Sequence, residues 1–280
     1  MFKRAALTVA LGSAFVGLSG QTALATLVTL NDRNTEVKSD FNSVGDFFDF
    51  VVDGTDHLDR EWFWIRVNDD DRETKVTALD GKDFIHYDGN FDPGEDHIFA
   101  RWFDPMDRFE ITVEEVLTGG TVGSAVSNFS QTVRVTNLSD APLRLNLFQL
   151  ANFDLLGTPG GDTVEVISDN VIMQTELNSF MRETFTNHSP TSTQVAEADT
   201  LYNALTDAGV TNLDGSTGPF AGSDVEYAVQ WTTTIPVGGA FFVNKDFFIS
   251  APDSIVPEPA SAVMLGLAGL ALLGVRRRQA

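Results

Sequence analysis

Three short stretches hold side chains whose types and spacing could do chemistry. In Tyr87-Asp-Gly-Asn-Phe-Asp-Pro-Gly-Glu-Asp-His97 the oxygens of Asp88, Asn90 and Asp92 recur at every second residue. That is the spacing at which hard oxygen ligands converge on Ca²⁺. An EF-hand loop would continue with Gly at its sixth position and Glu at its twelfth, but Pro93 and Phe99 stand there. The departures exclude an EF-hand and favour an acidic turn between strands. In Glu61-Trp-Phe-Trp-Ile-Arg-Val67, strand geometry places Trp62 and Trp64 on one face and Phe63 and Ile65 on the other. Such a pair of tryptophans could floor a sugar site, and Trp102 offers the same option. A central strand buried on both faces explains the apolar run more simply. The run Asn68-Asp-Asp-Asp71 reads as a solvated turn, because adjacent side chains on an extended chain diverge.

The four histidines, His57, His86, His97 and His188, show no zinc-motif spacing. With 40 acidic residues in the chain, some carboxylates must be neighbours by chance, so an acid–base pair for glycoside hydrolysis cannot be argued from their presence. The body also lacks a Gly-x-Ser-x-Gly elbow, a phosphate loop and a dinucleotide fingerprint. Cysteine is absent, which excludes thiol catalysis, thiolate metal sites and disulfides. The expectation is a non-enzyme with no catalytic residue and no committed metal site.

The elements that would position these residues are strands. Phe109, Ile111 and Val113 alternate with Glu110, Thr112 and Glu114; Leu143, Leu145 and Leu147 alternate with Arg144 and Asn146; Val225, Tyr227, Val229 and Trp231 alternate with Glu226, Ala228 and Gln230. Period two means one buried face and one wet face, the pattern of antiparallel sheets. The turn cluster in Ser130-Gln-Thr-Val-Arg-Val-Thr-Asn-Leu-Ser-Asp-Ala-Pro-Leu-Arg-Leu-Asn-Leu-Phe-Gln149 predicts a hairpin. Val195, Ala198, Leu201, Tyr202 and Leu205 fall at helical spacing, so a single amphipathic helix is predicted over about 193–208, capped by Ser192 or Thr193 and ended by Gly209. Two final strands are predicted at about 224–235 and 240–250. The fold class is all-β: an antiparallel β-sandwich with one short helix, spanning residues 26–252.

Both ends of the chain carry signals. Residues 1–25 have a basic start at Lys3 and Arg4, an apolar stretch from Ala5 to Leu18, and a small-x-small site at Ala23-Leu24-Ala25. This is the pattern of a secretory signal peptide cleaved after Ala25 by signal peptidase. At the other end, residues 253–259 read as a linker ending in Pro257-Glu258-Pro259. Residues 260–275 carry neither charge nor proline, and Arg276, Arg277 and Arg278 follow. The apolar run is short of the ~20 residues of an unaided membrane span. Snorkelling flanks or local thinning make up the difference, and the arginines act as an electrostatic stop on the cytoplasmic side.

Val256-Pro257-Glu258-Pro259, an apolar helix and an arginine cluster, in that order, resemble the PEP-CTERM sorting signal of Gram-negative bacteria. The resemblance covers about the last 25 residues. It implies that residues 260–280 anchor the chain transiently in the inner membrane, and that exosortase cuts near Pro257-Glu258-Pro259. It also implies delivery to the cell surface or medium and an association with exopolysaccharide and biofilm matrix. The body resembles β-rich proteins that share this tail, a likeness that implies no activity.

Removing both signals takes away Lys3, Arg4, Arg276, Arg277, Arg278 and Glu258 from 18 basic and 40 acidic residues, leaving a net charge of about −26. Such a surface repels nucleic acid and anionic lipid. It meets an anionic polysaccharide only across bridging cations. The functional expectation is an exported, non-enzymatic surface or matrix protein. The alternatives are a calcium-assisted carbohydrate-binding module, built on Asp88, Asn90 and Asp92 with exposed tryptophans, and a secreted hydrolase.

Overall fold

The computed structural model describes residues 27–41, 47–221 and 223–252. The signal peptide, the cleavage residues Ala25, Pro257, Glu258 and Pro259, the apolar run and Arg276, Arg277 and Arg278 lie outside the described residues. Among the described residues no helix is long and apolar enough to cross a membrane.

The chain begins with β1 (Leu27–Asp32), β2 (Thr35–Asp40), β3 (Phe47–Val52), β4 (Thr55–Asp56), β5 (Leu58–Val67), β6 (Thr74–Lys75), β7 (Asp80–Tyr87), β8 (His97–Phe103) and β9 (Phe109–Gly119). It continues with β10 (Val126–Asn137), β11 (Leu143–Phe153), β12 (Thr163–Ser168), β13 (Val171–Glu176), β14 (Ser179–Phe185) and β15 (Ser192–Glu197). The helix α1 (Thr200–Thr206) precedes β16 (Phe220–Ala221), β17 (Val225–Ile235) and β18 (Ala240–Ser250). The first sheet has the order β1-β2-β3-β5-β11-β17-β15, with β4 on β3 and β6 on β5. The second has the order β16-β12-β13-β14-β18-β10-β9-β8-β7. The central ladders are antiparallel throughout.

The two sheets face each other across one continuous apolar core. Ring pairs Phe50–Phe129, Phe153–Phe247 and Phe185–Trp231 cross between them with centroids 5.9, 5.2 and 5.4 Å apart. On β5 every residue from Glu61 to Val67 is buried, so this strand is covered on both faces. The inward face meets the second sheet. Over the outward face α1 brings Tyr202 against Trp64, with centroids 6.1 Å apart. Beside it Arg66 bonds Glu73, the Thr211 carbonyl and Asn212 at 2.8, 3.0 and 2.9 Å.

The structure corrects three local expectations. First, β10 and β11 do not form a hairpin: β10 pairs with β9 and β18, and β11 with β5 and β17. Residues 138–142 therefore form an arch between sheets. Buried Asn137 ties it, because its Nδ2 donates to the carbonyls of Ala141, Ile235 and Pro236 at 2.8, 3.0 and 3.2 Å. The last two strands form a second such arch, β17 in the first sheet and β18 in the second.

Second, the helix is seven residues long and begins at Thr200, not near 193. Residues 192–197 instead pair with β17, Val195 opposite Tyr227. Local helical spacing loses there to ladder hydrogen bonds on an open sheet edge, and Asp199, at φ 66°, separates strand from helix. Neither Ser192 nor Thr193 caps it, and it ends at Thr206, before Gly209. Third, Glu226 and Gln230 are buried rather than wet. Glu226 Oε1 accepts the Leu201 and Tyr202 amides at the start of α1, at 2.5 and 3.2 Å, so the helix covers the outer face of β17.

One glycine is required by close approach. A Cβ on Gly119 would lie 1.9 Å from the Asp32 carbonyl oxygen. The Gly119 amide donates to Asp32 Oδ2 at 2.7 Å, joining β9 of the second sheet to β1 of the first.

Candidate functional site

The acidic loop does not gather its oxygens. Asp88 Oδ1 accepts the Asn90 and Phe91 amides at 3.1 and 2.7 Å, and Asn90 Oδ1 accepts the Asp92 amide at 2.7 Å. Asp92 Oδ2 is turned to Arg33, 2.8 Å away. These are the self-bonding patterns of an acidic turn. Among the described residues no three Asp, Glu or His side chains converge on a point suited to a metal ion.

Trp62, Trp64 and Trp102 are buried at 0, 1 and 1 % exposure. Trp62 and Trp102 pack against each other and around Phe41, so neither offers the exposed platform that the carbohydrate-module alternative needs. The histidines do not meet as a group. His86 pairs with Glu95 on the edge strand, and His97 with Asp96 at 2.7 Å. His188 packs against Phe241 and, edge to face, Phe242. His57 is buried and its Nδ1 accepts the Leu156 amide at 3.2 Å.

The residues that do converge are ones whose chemistry the sequence pattern left unassigned. Glu61 (β5), Glu115 (β9), Gln131 (β10), Gln149 (β11), Glu183 (β14), Tyr227 (β17) and Lys245 (β18) meet between the sheets, none more than 1 % exposed. Lys245 Nζ lies 2.7 Å from Glu61 Oε1 and 3.3 Å from Glu183 Oε1. The ammonium also sits over the rings of Phe63 and Phe247, at 4.8 and 4.2 Å. Gln131 Nε2 donates to Glu61 Oε2 and Glu115 Oε1 at 3.2 and 3.0 Å. Gln149 Nε2 and Tyr227 OH donate to Glu183 at 2.7 and 2.8 Å. Burial raises the Glu61 and Tyr227 pKa values, and burial followed by the nearby Glu61 charge pushes Glu115 up to about 8.

A signal for these residues was present. Extending Phe109, Ile111, Val113 by two reaches Glu115, and extending Leu143, Leu145, Leu147 reaches Gln149. Each strand carries its inward alternation through one polar residue. Sequence cannot show that the polar positions of seven strands are level with one another.

A cavity of about 230 Å³ opens at the end of the sandwich from which the chain leaves toward its tail. Val52, Asp53, His57, Ser124, Leu156 and Pro252 are among its walls. Asp53 clamps this end: its oxygens accept the Gly123 and Ala125 amides and the Asn34 side-chain amide at 2.7, 2.8 and 2.9 Å. Beside the cavity the acids crowd. Burial, and then the charges of Asp224, Asp59 and Asp56, push Asp154 up to about 6. Burial and Glu176 push Asp162 up to about 8.

Comparison with known proteins gives a fold for the body and a family for the tail. No curated protein matches the chain in sequence. In structure it is similar to a bacterial glucoamylase complexed with acarbose, with TM-score 0.52 and 8 % identity over 86 % of this chain and 36 % of that one. It thus spans about a third of that enzyme. It is also similar to a putative aldose 1-epimerase from Escherichia coli K12, with TM-score 0.52 and 8 % identity over 80 % of this chain and 98 % of that one. A protein from Synechocystis sp. PCC 6803 matches with TM-score 0.51 and 9 % identity over 85 % of this chain and all of that one. At such identities the likeness is one of fold alone. Residues 256–279, by contrast, match the PEP-CTERM protein-sorting motif directly. The chain therefore carries, on an antiparallel β-sandwich, a C-terminal PEP-CTERM sorting motif, which implies export and processing by exosortase.

Proposed function

We propose that the mature protein is a non-catalytic component of the cell surface or extracellular matrix, an acidic sandwich cut from its tail near Pro257-Glu258-Pro259. One observation carries this reading. The charged side chains that converge from both sheets, Glu61, Glu115, Glu183 and Lys245, are sealed at 0–1 % exposure, so no substrate reaches them. They are part of the core. What the molecule offers to its surroundings is diffuse negative charge, suited to solubility and to contact with surface polymers across bridging cations.

Signal peptidase and exosortase are the partners in transit, and the inner-membrane anchor is temporary. Intact mass and fractionation of the protein from cells with and without exosortase test this. The expected product ends near residue 256 and is found at the surface or in the medium only when exosortase is present. A protein ending at Ala280 in the membrane fraction of exosortase-positive cells would make the tail a permanent anchor and overturn the reading.

A further inference from the structure

The buried cluster has three carboxyl groups and one ammonium, and its hydrogen bonds are unevenly shared. Glu61 has donors on both oxygens, from Lys245 and Gln131. Glu183 also has donors on both, from Gln149, Lys245 and Tyr227. Glu115 has one, Gln131 on Oε1, while its Oε2 is buried without a partner. Lys245 reaches the other two acids and not this one. An ionised carboxylate with an unbonded oxygen in a buried core is strongly disfavoured, and a proton removes the charge.

Gln131 Nε2 donates to both Glu115 and Glu61 of the facing sheet, so the two carboxyl groups are close neighbours. We propose that Glu115 is carried as a neutral acid, that its proton latches the sheets by keeping it from repelling Glu61, and that alkaline surroundings release the latch. A proton on Oε2 turns an unpaired acceptor into a donor, in a core where Gln131 Oε1 also lacks a partner. The cluster then balances Glu61 and Glu183 against Lys245 alone. Losing the proton adds a second uncompensated negative charge between β5, β11 and β17 on one side and β9, β10, β14 and β18 on the other. The charged and titratable groups of the cluster around Glu115 are Glu61 and Tyr227 on the facing sheet and Glu183 and Lys245 on its own, with Gln149 and Gln131 as the neutral polar members of the two sheets.

The sign follows from the raised pKa. Glu115 rises from an ordinary 4.5 to about 8 because burial and Glu61 disfavour its charge. Its full contribution to stability is present below the ordinary value, is lost as pH climbs through the folded value, and stays lost above it.

Thermal unfolding of the exported, processed protein and of its Glu115→Gln variant, from pH 5 to pH 9, tests the latch. Gln keeps the shape and cannot ionise. The expected result is that the variant melts with the native protein at pH 5 and clearly above it at pH 9. A gap of equal size at both pH values, or a variant less stable at both, overturns the proposal. Infrared spectra of ¹³C-glutamate-labelled native protein give a reading that does not depend on the variant folding. A neutral glutamic acid that persists at pH 7 and disappears by pH 10 supports the latch. Its disappearance by pH 6, as for an ordinary glutamic acid, overturns it.

Discussion

The two ends of the sandwich treat their acidic residues in opposite ways. At the end with the two arches, acids meet arginines. The Arg108 guanidinium spans Asp104, at 2.7 and 2.8 Å, and Asp70, at 2.6 and 3.1 Å. Burial alone would raise the Asp104 pKa, but the bonds from Arg108 outweigh it and hold the carboxyl below the usual range. Arg144 reaches Asp69 next to them. At the exit end Asp56, Asp59, Asp154 and Asp224 crowd together, with Arg60 as the cation among Asp154's influences. The difference separates two uses of charge. Paired acids close the arches and hold strands of different sheets in place, whereas at the end where the chain leaves toward its tail Asp53 and Asp59 find donors but Asp154 is left among like charges. Strain of that kind is tolerated where stability is not the purpose of the site.

The comparison can be broken first at the arches. Asn137→Ala removes one donor shared by three carbonyls and leaves the ends of β10 and β17 unstitched. The expected loss is about 3 kcal/mol, from buried acceptors left without donors. Denaturant titration would show it, and a loss within error would mean that the arch closes without Asn137.

Arg108→Leu should cost somewhat less, about 2 kcal/mol. It strands Asp104, which is 3 % exposed, although the partial exposure of Arg108 weakens the pair in its native form. The loss should fade at low pH as Asp104 takes up a proton, and a loss independent of pH would count against this account.

At the exit end the sign reverses. Asp154→Asn should stabilise by about 1 kcal/mol at pH 8 and by nothing at pH 4, the effect being discounted for the solvent around a half-buried group. Asp154 has a raised folded pKa of about 6, so its contribution is intact below the ordinary 3.8 and is lost as pH rises through 6. Melting curves of the variant at the two pH values check this. Destabilisation at pH 8 would show that the acids at this end are not in conflict.

How much of this was legible varies by residue. The limits of β17 and β18 could be read almost to the residue, because Val225 to Ile235 and Ala240 to Ser250 lie between turn residues. The covered faces of β5 followed from an unbroken apolar run. The burial of Glu226 did not, because it depends on α1 lying over that strand. The sorting motif needed no fold at all, since an export system reads it as a linear segment.

The sequence by itself determined the class of fold, the alternating faces, the absence of thiol chemistry and the address at the C-terminus, all of which are local or compositional. Only the tertiary structure decided which sheet each strand joins. The turn in residues 138–142 serves a hairpin or an arch equally well, and the choice rests on partners distant in sequence, β9 and β18 against β5 and β17. The same choice decided that Glu61, Glu115, Glu183 and Lys245 meet. Each is a polar residue on the inward face of its strand, and only the packing of the two sheets places them together in a buried core where a proton or an ammonium must balance their charge.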